Sequence, residues 1–87
     1  MKQPDSLKED DIKEAVEKLG EIKEDTTVPK NVKLKVEEAT QILHSNEEKS
    51  IRISKALSEL EEISNDTNMQ AYTRMQILTV ISLLEKN

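Results

Sequence analysis

Cysteine is absent from this 87-residue chain. Neither a disulfide framework nor a thiolate metal centre can be built from it. The absence fits a reducing compartment, and a cytoplasmic location is the expectation. Tyr72 is the one aromatic residue. β-Sandwiches and barrels draw on aromatics for their cores, so this composition disfavours them. One glycine and two prolines leave few tight turns. Long apolar runs are missing too, and no segment reads as a membrane span. The opening MKQPDSLKEDD has none of the apolar core of a signal peptide. A positive excess is also lacking. The net charge of −5 argues against broad binding to nucleic acid or anionic lipid.

What the chain does have is Glu, Lys, Leu and Ile in quantity, with 36% of its residues charged. That mixture belongs to an all-α protein with charged outer faces. The length allows one domain, near the lower limit for a self-sufficient core.

Apolar spacing divides the chain into four helices, expected at residues 6–25, 29–44, 46–64 and 70–86, with 1–5 disordered. Ile12, Ala15, Val16, Leu19 and Ile22 fall at steps of three and four, one face of the first helix. Ser6 and Glu9 are spaced as a capping box at its start. Pro29 suits the first turn of the second helix, whose stripe is Val32, Val36, Ala39, Ile42 and Leu43. Ser45 or Asn46 can cap the third helix, with Glu48 placed as the box partner of Ser45, before a stripe of Ile53, Ala56, Leu57, Leu60 and Ile63.

A displacement of forty-one residues lays the chain on itself. Ala15 falls on Ala56, Leu19 on Leu60, Ile22 on Ile63, and Asp25-Thr26 on Asp66-Thr67. The second helices continue in the same register, with Val36 on Ile77, Ala39 on Val80, Leu43 on Leu84 and Asn46 on Asn87. Two repeated helical hairpins are expected, packed as a four-helix bundle. The period is that of HEAT and armadillo helix pairs. Asp25, Pro29, Val32, Lys33 and Ala39 also sit as in a HEAT motif. The second unit departs from it at Gln70 and Thr73 but keeps a base at Arg74. The expectation is therefore HEAT-like in shape.

Two turns carry a closer likeness across nearly the whole chain. EDTTVPKNVKLKVEEA, followed by ALSELEEISNDTNMQAYTRMQILTVISLLE, resembles a small archaeal family catalogued as uncharacterised protein family 0147. Its members pair a DTTVP turn with an EISND turn in this way. The resemblance implies an all-α bundle. It implies no activity, so no catalytic residues are carried over.

Few residues invite chemistry. His44 is the sole histidine, with Glu47 and Glu48 close behind it. A metal needs three or four converging ligands, and the second helix ends at His44, so an exposed terminal histidine is the favoured reading. The acid pairs Asp10-Asp11 and Glu61-Glu62 point about 100° apart on a helix and cannot clamp one substrate. No glycine-rich loop exists to cradle phosphate. Gly20 lies within the first helix, either for close approach of a neighbour or tolerated at about 1 kcal/mol. No catalytic residue, cofactor or metal is expected.

Two features point to partners. Lys30, Lys33 and Lys35 cluster at the start of the second helix, a weak candidate for anion or RNA contact. The last helix is over-apolar: Met75, Leu78 and Ile81 follow at steps of three, with Tyr72 at the edge, in addition to the expected core face. Either this helix sits centrally and is buried all round, or Tyr72, Met75, Leu78 and Ile81 are an interface. The favoured function is a non-enzymatic protein–protein interaction module, self-associating through this helix or binding another protein. The alternative is an RNA- or ribosome-associated accessory protein using the three lysines.

Overall fold

The computed structural model describes the backbone of residues 4–86 and the side chains of residues 11–86. The described residues form four helices and no strand: α1 (Pro4–Glu24), α2 (Lys30–Leu43), α3 (Lys49–Ile63) and α4 (Ala71–Leu84). The expected all-α bundle of two hairpins is what is seen. Helix ends differ by a few residues. Pro4 and Asp5, expected to be disordered, belong to α1. Residues 1–3 and the side chains of the Ser6–Glu9 capping box lie outside the described residues.

The start of α3 departs further from expectation. Helix begins at Lys49, with Glu48 as its N-cap and no side-chain capping bond. The Ser45–Glu48 box does not form. Ser45 Oγ instead accepts from Glu47 N at 3.5 Å. Arg52 spans this connection, donating from Nη1 to Leu43 O (2.8 Å) and from Nε to Glu47 O (3.0 Å). The guanidinium thus satisfies carbonyls at the end of α2 and in the loop, where a capping side chain was expected to order the chain.

The helices alternate in direction. Near the start of α2, Asn31 Nδ2 donates to Asp66 Oδ2 just beyond α3 (2.8 Å). Just beyond α4, Lys86 reaches Asp11 near the start of α1 (3.6 Å). Both Asp-Thr turns therefore lie at one end of the bundle, and the 44–48 connection lies at the other.

The HEAT-like arrangement is not observed. Stacked helix pairs would set α1 beside α3 and α2 beside α4. Here α1 packs on α2 and α4, and α3 packs on α2 and α4, closing a ring. Among the described residues, α1 does not pack on α3, nor α2 on α4. A rotation that exchanges α1 with α3 and α2 with α4 preserves every neighbour pair, so the units are related by rotation rather than by translation. Burial supplies the reason. Two translated pairs would leave an apolar face uncovered at each end of the stack. Rotation turns both stripes onto one centre, which a chain this short requires.

That centre repeats with the sequence. Ala15 and Ala56, Leu19 and Leu60, Ile22 and Ile63, Val36 and Ile77, Ala39 and Val80, and Leu43 and Leu84 are all buried. Val28 and Met69, also forty-one residues apart, are buried under the two turns. Each turn is tied by its aspartate. Asp25 Oδ1 accepts from Thr27 N (2.9 Å) and Thr27 Oγ1 (2.7 Å), and Asp66 Oδ1 accepts from Asn68 N (2.8 Å). The short side chain bonds the backbone two residues on, reversing the chain without glycine.

Candidate functional site

Helix α4 begins where Gln70 takes an extended conformation and its carbonyl receives Arg74 N at 3.0 Å. Thr73, Ile77, Val80, Ile81 and Leu84 turn inward at helical spacing and are buried. The opposite face carries Ala71, Tyr72, Met75, Leu78, Thr79 and Ser82, all exposed. Among these, Tyr72 is 65%, Met75 67% and Leu78 50% exposed. Large apolar side chains usually avoid such exposure when they cluster on one face.

Ile81 does not share that face. It is 8% exposed and belongs to the core, a correction to the expected stripe. The reason is angular. Each step of three residues falls about 60° short of a full helical circuit, so 75, 78 and 81 drift around the helix by about 120°. That drift carries Ile81 onto the side of Ile77, Val80 and Leu84.

No charge lies on the outer face of α4. The outward positions of α2 include Lys30, Glu37 and Glu38, and those of α3 include Lys55, Glu61 and Glu62. The described part of α1 exposes Lys13, Glu14 and Glu17 among others. The single charged residue of α4, Arg74, folds away from this face. Its Nη2 donates to Asp66 O (2.6 Å) and its Nε to Ser64 O (3.3 Å), closing the end of α3. Thr79 Oγ1 donates to Met75 O at 2.9 Å, so its hydroxyl is spent on the helix itself. The result is an uncharged, largely apolar strip about 20 Å long on a molecule of net charge −5.

The lysines are less available than their clustering implied. Lys30 is exposed and Lys33 partly so. Lys35 Nζ lies 2.9 Å from Glu62 Oε1 and 3.0 Å from Glu59 Oε1, with Glu38 at 3.9 Å. The hydrogen bonds it donates to Glu62 and then Glu59 raise its pKa, and the charge of the ammonium is balanced where α2 meets α3. The three lysines do not converge on one point free of acids.

His44 is exposed and forms the C-cap of α2, its N–H shared between Thr40 O and Gln41 O. Glu47 is turned from it toward Lys55, 2.9 Å away. Among the described residues, no three His, Asp or Glu side chains gather as metal ligands. Nor is any helix long and apolar enough to cross a membrane.

Known proteins share this arrangement. A protein of Methanocaldococcus jannaschii is 45% identical over 69 residues, covering 78% of this chain and 74% of that protein. One from Thermoplasma volcanium is 41% identical over 77% of this chain and 76% of its own. Among solved structures, a family member from Thermoplasma acidophilum superposes with a TM-score of 0.87 at 34% identity, covering 92% of this chain and 95% of that one. The crystal structure of the unknown-function protein MMP1188 gives 0.86 at 39% identity, covering 90% of each chain. These relatives are archaeal where their source is given, and their names state no activity. Residues 1–86 match the description "Uncharacterised protein family (UPF0147)", and the chain belongs to that family.

Proposed function

We propose that this protein is a non-catalytic interaction module that associates with a second copy of itself through the outer face of α4. The supporting observation is the exposed, charge-free strip of Tyr72, Met75 and Leu78 on a chain of net charge −5. Burying a charge without a partner is costly, so a self-contact favours the face that carries none. A two-fold pairing of α4 with α4 meets that condition, because the same strip serves both copies. Met and Tyr are suited to such contacts, one by flexibility and the other by its large ring with a polar tip. RNA binding through Lys30, Lys33 and Lys35 has less support, because Lys35 already holds two glutamates.

The test is sedimentation of the parent beside Leu78→Glu, with helical content checked by circular dichroism. Leu78 is half exposed, so the substitution leaves the core intact. The expected outcome is a dimeric parent and a folded, monomeric variant. Two folded monomers of equal mass would refute self-association.

A further inference from the structure

The repeat carries a pair of equivalent grooves. One, of about 570 Å³, opens between α1 and the end of α2 over Ile12, Val16 and Leu43. The other, of about 840 Å³, opens between α3 and the end of α4 over Ile53, Leu57 and Leu84. These floors correspond residue for residue at a displacement of forty-one. The walls do not. Lys13, Glu17 and His44 in the first groove become Ser54, Ser58 and Glu85 in the second. Arg52 also lines the first groove, donating to Leu43 O at 2.8 Å. The charged Lys13 and Glu17 of the first groove thus give way to the short Ser54 and Ser58 in the second.

We infer that the second groove receives a basic amphipathic helix from a partner protein. Three features match that occupant. Leu57 is only partly buried, and with Ile53 and Leu84 it offers an apolar floor. Ser50, Ser54 and Ser58 recur at steps of four along one edge of α3, so another helix can approach its backbone closely. Among the described residues, the rim carries Glu48, Glu61 and Glu85 against one base, Lys49. An acidic rim around an apolar floor selects basic residues flanking an apolar stripe and repels acidic ones. The lined face runs from Ser50 to Glu61, about 16 Å, which matches three turns of helix. This surface is separate from the outer face of α4, and the inference does not depend on self-association there.

A display library of helical peptides about sixteen residues long, screened against the full chain, tests it. Enriched peptides are expected to carry net positive charge and apolar residues at steps of three and four. Ser54→Arg with Ser58→Arg, both at exposed positions, is expected to weaken them by about tenfold or more while the melting temperature holds. Glu48→Lys with Glu61→Lys is expected to shift selection toward acidic flanks. Leu78→Glu is expected to leave peptide binding unchanged, which separates this site from the α4 face. Neutral or acidic winners on the parent, no winners at all, or peptides insensitive to both serine substitutions would overturn the proposal.

Discussion

Gly20 lies inside α1, and a Cβ added there meets nothing within 4 Å. Close approach of a neighbouring helix is therefore not its reason. Gly20→Ala is expected to stabilise the fold by about 1 kcal/mol, by reducing the freedom of the unfolded chain, and thermal melts would read this directly. The turn aspartates give a pH dependence. The Thr27 hydroxyl and then its N–H hold the Asp25 carboxyl below its ordinary 3.8. The Asn68 N–H and then the Asn31 amide do the same for Asp66. A depressed pKa contributes stability that is present above the ordinary value and lost as pH falls through the depressed one. The melting temperature should therefore drop on acidification below about pH 4, and the Asp25→Ala, Asp66→Ala double variant should drop less across that window. Equal slopes for parent and variant would remove both aspartates from the account.

Among the elements, the stripes of α1, α2 and α3 were legible because a 3.6-residue period leaves a plain trace in apolar spacing. Val16, Ile42 and Leu57, read as core, are only partly buried and pack at its edge. Two things escaped. Steps of three place Ile81 on the outer strip, although Ile77, Val80, Ile81 and Leu84 form the inward pattern. Val28 and Met69 fall between the expected helices, yet each is buried at the base of its turn. The repeat held the missing signal, since it sets one apolar residue on another three positions after each aspartate. Met69→Ala should cost about 2–5 kcal/mol despite lying outside any helix. A chemical-denaturation midpoint unchanged from the parent would show the turn to be held by hydrogen bonds alone. The outer face of α4 was legible in Tyr72, Met75 and Leu78. Its freedom from charge also depends on Arg74 folding back to Ser64 O and Asp66 O, which no spacing rule discloses.

At the scale of the molecule, the two hairpins bury one shared centre, and neither has a core of its own. Cut within the 44–48 connection and expressed apart, each is expected to be unfolded, below the size at which a helical pair sustains itself. Mixed, they should regain helical circular dichroism, because α2–α3 and α1–α4 contacts form across the cut. A hairpin that melts cooperatively alone would contradict this. The rotation that closes the ring also sets a limit on growth. A solenoid lengthens by adding units, since each end offers the surface its neighbour used. Here α4 has already returned to α1, and a third hairpin would find no vacant berth in the circle. Duplication of this chain would produce two bundles on a tether rather than one longer array. Any larger assembly must be built outward, from surfaces such as the α4 strip.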